Sequence, residues 1–201
     1  MSCGVGVDLL LVQLVLATHN AHKVEELRRI LGPRLDGIEL LAYDGPEPVE
    51  DGDTFEANAL IKARAAFEFT GVPAIADDSG ISVDALGGAP GIYSARYAGS
   101  RDDGDNLRLL LERMSGVDDR TAHFTCAAAF VAHGIEHVEL GVWPGMLLRK
   151  PHGAGGFGYD PVFQPDGVAI SAAELTSDEK NAISHRALAF AKLLDFIREL
   201  P

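Results

Sequence analysis

Apolar and polar positions along the chain switch repeatedly between a two-residue and a 3.6-residue period, the marks of strands and helices. Val12–Ala17 is apolar apart from Gln13 and reads as a buried strand. Thr18-His19-Asn20 follows, with Asn20 placed to cap a helix over Ala21–Leu31. In that helix Val24, Leu27 and Leu31 share a face, and Glu25 pairs with Arg29 across a turn. Gly37–Ala42 predicts a short strand. Phe55–Thr70 predicts a helix capped by Thr54, with Phe55, Ala59, Ala63 and Phe67 at core spacing. Ala74–Ala76 is expected to be a buried strand ending in a polar turn, Asp77-Asp78-Ser79-Gly80. A helix near Asp103–Met114 precedes two long alternating stretches, Thr121–His133 and Glu136–Leu148, joined at His133-Gly134 as a hairpin. Val162-Phe163 resumes as strand. One last helix is predicted over Asp178–Glu199, burying Ile183, Ala187, Phe190, Ala191, Leu194 and Ile197. Interleaved strands and helices with an antiparallel hairpin give an α/β fold with a mixed sheet.

No repeat or low-complexity tract divides the 201 residues, so 12–201 is expected to be a single domain and 1–11 an N-terminal extension. Val5–Ala17 is apolar but holds Asp8 and Gln13 and follows no basic segment; it is too short to span a bilayer. Cys3 and Cys126 are unlike in context and form no CxxC spacing, which suggests a reduced, cytoplasmic setting. Seventeen basic against thirty acidic residues leave a net charge of −13, which disfavours polymeric nucleic acid and anionic membrane as partners.

Four clusters carry chemistry. Thr18-His19-Asn20-Ala21-His22-Lys23 joins a strand to a helix N-terminus, where free N–H groups and the Lys23 charge suit a phosphate; an ordinary capped helix start is the competing account. Asn58 and Lys62 lie four apart on one helical face, just after Glu50, Asp51 and Asp53, in a stretch (36–56) with eight acids and no Lys or Arg. Such crowding is relieved by water or by a cation. Asp77 and Asp78 close an apolar strand, and strand geometry sends them to opposite faces, so one of them points into a given site. Hard oxygen ligands of this kind favour Mg²⁺ shared with substrate phosphates; a surface turn is the alternative. Gly153, Gly155 and Gly158 match GxGxxG formally, but Pro161 and Val162-Phe163 follow where the dinucleotide fingerprint needs a helix. A loop bearing Phe157 and Tyr159 can instead lay a ring on a nucleobase, with Lys180, Ser184, His185 and Arg186 supplying polar groups for a base edge.

Together these stretches resemble the inosine/xanthosine triphosphate pyrophosphatase family, including the bacterial dITP/XTP pyrophosphatases. The matching segments are LVLATHNAHKVEELRRIL, EDGDTFEANALIKARAA, PAIADDSGISVDALGGAPGIYSARYAG, GGFGYDPVF and AELTSDEKNAISHRALAF, in the family's order. The resemblance implies Mg-dependent hydrolysis of non-standard purine nucleoside triphosphates (ITP, dITP, XTP) to monophosphate and pyrophosphate. It also implies a homodimer and an elongated mixed sheet, flanked by helices, whose two lobes enclose the nucleotide cleft. Residue by residue it implies that Thr18, Asn20 and Lys23 bind the triphosphate, with Lys62 close by, and that His19, Ala21 and His22 belong to the same substrate-binding segment. Glu50 and Asp78 would hold the metal, with Asp78 also the catalytic proton acceptor. Ser79 would touch substrate, and Phe157, Gly158, Tyr159, Asp160, Lys180, His185 and Arg186 would form the base pocket. Ala57 departs from the pattern, since many relatives carry Glu there. A non-catalytic nucleotide sensor, a pyrophosphatase of common nucleotides and a nicotinamide-dependent oxidoreductase are the rival readings.

Overall fold

The structure, a computed structural model, describes residues 12–32 and 35–200. The extension expected at 1–11 therefore lies outside the described residues. A single open sheet of six strands organises the described chain, in the order β2-β1-β3-β4-β5-β6. Strand β1 (Val12–Leu16) leads into helix α1 (Ala21–Leu31), and β2 (Ile38–Ala42) returns parallel beside β1. Helix α2 (Phe55–Thr70) then crosses to β3 (Ala74–Val83), parallel on the other side of β1. After α3 (Asp103–Arg113) the chain forms the hairpin β4 (Thr121–Ala132) and β5 (Ile135–Leu147), with β4 antiparallel to β3. A short β6 (Phe163–Pro165) closes that edge, followed by α4 (Ser177–Ile183) and α5 (His185–Glu199).

The caps read from sequence are in place: Asn20 accepts from the Lys23 amide, and Thr54 from the Ala57 amide. Helices α1 and α5 cover one face of the sheet through Leu27, Leu31, Phe190 and Leu193, packed on Leu14, Leu16 and Ile75. Helix α2 covers the opposite face almost entirely with alanines: Ala59, Ala63 and Ala66 meet Ala74, Ala76, Ala127 and Ala129. Small side chains on both surfaces bring α2, and the polar groups it carries, close to the sheet. A separate core fills the far end, where Ile81, Leu110, Phe124, Trp143 and Phe163 pack together. These two ends are the lobes, and the long strands β3, β4 and β5 run through both.

Two expectations need correction. Strand β3 does not stop at Ala76; it runs to Val83, with Asp77, Asp78, Ser79 and Gly80 paired to Ala128, Ala127, Cys126 and Thr125 of β4. The β4 ladder supplies their backbone partners, so polar side chains do not end the strand. The final helix is also broken. Ser184, extended and fully buried, ends α4 and caps α5 by accepting from the Ala187 amide. Ile183, expected in the core, is consequently exposed, and Ala191 is half-buried.

Candidate functional site

The site occupies a notch in the sheet. Strand β1 pairs with β3 only at Val15–Ala74 and Leu16–Ile75, then turns away into α1 while β3 continues. Beyond Ile75 the β1 side of β3 is left open. It is also where the chain departs to opposite sides of β1, the crevice in which open α/β sheets hold ligands. A cleft of about 360 Å³ opens there, lined by both lobes.

Asp77 and Asp78 point to opposite faces of β3. On the α2 side, Asp78 meets Lys62 Nζ at 3.2 Å and accepts from Asn58 Nδ2 at 3.3 Å. Lys62 also reaches Glu50 at 3.3 Å, so one ammonium sits between two carboxylates. Asn58 holds the Glu50 loop as well, accepting from the Gly52 amide at 2.9 Å. Burial raises the Asp78 carboxyl above its ordinary range; Lys62 and Lys23 oppose that, while Glu50 and Asp77 add to it. Burial works against the Lys62 charge, but Asp78, Asp77 and Glu50 outweigh it and raise its pKa.

On the other side, Asp77 is fully enclosed and takes Lys23 at 3.0 Å and Arg186 at 3.4 Å. Burial penalises its charge, yet Lys23, Arg186 and Lys62 together hold the carboxyl well below the usual carboxylate range. Arg186 donates to Ser79 Oγ at 2.8 Å and forms an ion pair with Glu26 of α1. Glu26 also pairs with Lys180 at 3.3 Å, and Lys180 with Asp160 at 2.7 Å. Residues from β3, α1, α4 and α5 are thus tied into one buried ionic network. Removing a single member of such a network strands the partners' charges and costs about 3–5 kcal/mol.

His185 stacks on Phe124, with ring centroids 4.8 Å apart, beneath the cleft. Burial first, then Arg186 and Lys180, push its pKa well below the ordinary histidine value, so the ring is neutral. Gly141 makes this placement possible: a Cβ there would collide with the His185 carbonyl and the Ala189 amide, so only glycine lets α5 sit so low on β5. Phe157 lines the cleft, with Lys180 Nζ 5.1 Å and the Arg186 guanidinium 5.8 Å from its ring centroid.

Residues 14–196 match the model of the Ham1 family. The chain belongs to the Ham1 family. It is 56% identical over 194 residues to a Leifsonia xyli protein named dITP/XTP pyrophosphatase, covering 94% of this chain and 98% of that one. A Shigella flexneri protein of the same name is 49% identical, with 92% and 98% covered. The structure of a HAM1 protein from Coxiella burnetii superposes with a TM-score of 0.85 at 40% identity, over 94% of this chain and 100% of that one.

In this Ham1 chain the cleft gathers residues predicted from separate stretches of sequence. Thr18, His19, Asn20 and Lys23 line it from the β1–α1 junction, Glu50 and Lys62 from the α2 side, and Asp78 and Ser79 from β3. Phe157, Gly158, Tyr159 and Asp160 line it from the glycine-rich loop, and Lys180, His185 and Arg186 from α4 and α5. Ala21 and His22 occupy the first turn of α1, and their side chains lie outside the described residues.

Three placements sharpen the sequence reading. Tyr159 is buried and donates to the Ser94 carbonyl at 2.8 Å, so it ties the cleft wall to the far core. Asp160 is buried, accepts from the Phe157 amide at 2.8 Å, and anchors Lys180. The glycine-rich loop leads into a 3-10 turn (Asp160–Val162) and β6, not the helix of a dinucleotide fold. Glu26 was missed altogether, although its place three residues after Lys23 on α1 puts it on the cleft side of that helix.

Proposed function

We propose that this chain hydrolyses non-standard purine nucleoside triphosphates (ITP, dITP and XTP) to nucleoside monophosphate and pyrophosphate, clearing them from the nucleotide pool. The observation that carries this reading is the convergence of Glu50 and Asp78 on Lys62 inside a cation-lined cleft. The names of close relatives support it. In this reading Thr18, Asn20, Lys23 and Lys62 receive the triphosphate, and Ser79 lies against it.

Glu50 and Asp78 suit a divalent cation. Both are hard oxygen donors, and their combined charge exceeds what Lys62 supplies. Mg²⁺ would suit such donors, and Glu50 and Asp78 would hold it. When bound, it supplies charge neutralisation to phosphate oxygens. Asp78 takes the proton of the attacking water, a role served by a carboxyl made more basic through burial. Lys23 and Lys62 balance the charge on the transferred and leaving phosphates.

At the base end, Phe157 covers the ring, and Lys180, neutral His185 and Arg186 direct donors at the edge. Hypoxanthine and xanthine present an O6 acceptor there; adenine presents an amino donor and leaves these groups unpaired. A mismatch of that kind discriminates by ~10⁴-fold. Two further expectations accompany the activity. The protein works in a reducing, cytoplasmic setting. It works as a homodimer, built on the uncovered β5 face where Leu140, Val142 and Met146 are exposed.

A pyrophosphate-release assay with Mg²⁺ across ITP, dITP, XTP and the common triphosphates tests the reading. Release is expected from the first three, and Asp78→Asn is expected to lower turnover at least ~10²-fold. Equal cleavage of ITP and ATP contradicts the base pocket. Binding without pyrophosphate release would make the chain a sensor instead.

A further inference from the structure

Four cations in the inner cleft already face carboxylates. Lys23 and Arg186 share Asp77, Lys62 lies between Glu50 and Asp78, and Lys180 meets Asp160 and Glu26, which also pairs with Arg186. That is four positive groups against five negative ones. A triphosphate adds several more negative charges to this balance. Arg101, at the rim, is 3.7 Å from Glu47, and both are exposed. Among the described residues, Arg96 is the one cleft-lining cation with no carboxylate partner. Its guanidinium rests over the Tyr93 ring, 5.3 Å from the centroid, and is open to solvent.

The backbone that carries Arg96 is held firmly. It ends a 3-10 turn, Gly91–Arg96, that lies on β3 through Ser94. Ser94 Oγ accepts from the Ile81 amide at 2.9 Å and donates to the Gly91 carbonyl at 2.6 Å. Asn106 of α3 pins both flanks, donating to the Ala95 carbonyl at 3.3 Å and accepting from the Ala98 amide at 2.7 Å. A Cβ at Gly80 would strike Ser94, so the turn's contact with β3 depends on that glycine. A fixed backbone therefore presents an unpaired guanidinium at the open side of a cleft whose inner cations are already paired.

We propose that Arg96 is a substrate-binding residue for the polyphosphate arm, gripping the phosphoryl groups that leave as pyrophosphate. This rests on the hydrolytic reading above. The phosphorus attacked must lie near buried Asp78, so the outer, exposed Arg96 meets the departing end. Its forked donors suit two phosphoryl oxygens at once, a match that a lysine ammonium lacks.

The test uses the full chain with Mg²⁺ and three probes: ITP turnover, and competitive inhibition by pyrophosphate and by IMP. Arg96→Ala should raise KM for ITP and Ki for pyrophosphate by about ten-fold or more, the effect of losing a charge-assisted contact, and leave Ki for IMP unchanged. Arg96→Lys should recover part of the loss. An unchanged pyrophosphate Ki overturns the proposal, as does a parallel loss of IMP affinity, which would mark a structural effect on the whole site. Calorimetry with inorganic triphosphate reads Arg96 without turnover: if the unmutated chain hydrolyses nothing, the reaction assigned above fails, while weaker triphosphate binding by Arg96→Ala still supports the clamp and equal binding refutes it.

Discussion

His185 shows how burial sets the state of a single ring. It is stacked on Phe124 and faces Trp143 at 6.1 Å, and its Nδ1 is buried without a partner. Its pKa in the fold lies well below the ordinary value of 6.5, with burial the largest cause. In the unfolded chain the ring protonates as pH falls through that value; in the fold it resists. The unfolded state then binds more protons, so stability is intact above pH 6.5 and falls as pH drops below it, by at most ~1.4 kcal/mol per pH unit. Melting temperatures between pH 7 and pH 5 should therefore decline more steeply for the unmutated protein than for His185→Phe; parallel profiles would contradict the buried neutral ring. At this scale the sequence made the motif residues visible because Asp, Lys and His in apolar surroundings stand out. It could not show which of them serve others. Arg186 and Glu26 are 160 positions apart, and Lys180 and Asp160 meet only once α4 has docked.

Helix and strand identities followed from periodicity, but two boundaries did not, for different reasons. The 178–199 stretch keeps a helical pattern straight through Ser184, so nothing local marks the break. The break is tertiary: an extended Ser184 caps α5 and turns His185 and Arg186 toward the cleft. In β3 the apparent stop at Asp77-Asp78 came from reading polarity as exposure, whereas cations from α1, α2 and α5 pair with both carboxylates inside the fold. The seating of α5 can be tested at Gly141. Gly141→Ala places a methyl against backbone atoms of His185 and Ala189, which no side-chain rotation relieves. Thermal and urea denaturation should show a loss of about 1–3 kcal/mol, the usual cost of overpacking, with a raised KM for ITP as His185 shifts. Stability and KM both matching the unmutated chain would mean that α5 does not need this close approach.

For the molecule as a whole, a net charge of −13 coexists with a site for a polyanion because charge is sorted by place. Each of the five inner carboxylates meets one or more of four lysines and arginines, and most of the chain's other acids lie away from the cleft. The mixed sheet was legible because the β4–β5 hairpin forces antiparallel pairing beside parallel β1–β3. The uncovered face of β5 was not, since alternation alone does not say which helix stops short. Helix α2 covers β3 and β4, leaving Leu140, Val142 and Met146 exposed. Light scattering after size exclusion should give twice the chain mass, and Val142→Lys should shift the population toward monomer by setting a charge on each side of the interface. A monomer before substitution would remove the homodimer from the proposal.

The uneven lengths of β1 and β3 have an evolutionary consequence. Because β3 runs past its neighbour, one strand supports two chemically separate walls, with adjacent aspartates serving one each. Substitutions around the Asp77 wall that leave its buried ion pairs intact can retune what is recognised, while the Asp78 wall keeps its own groups in position. Insertions and deletions have no such freedom. Losing one residue between Ala74 and Asp77 would rotate every later side chain of the strand to the other face and exchange the two walls. A lineage of this fold can thus vary its substrates by substitution, but its reading frame through this strand is closed to change.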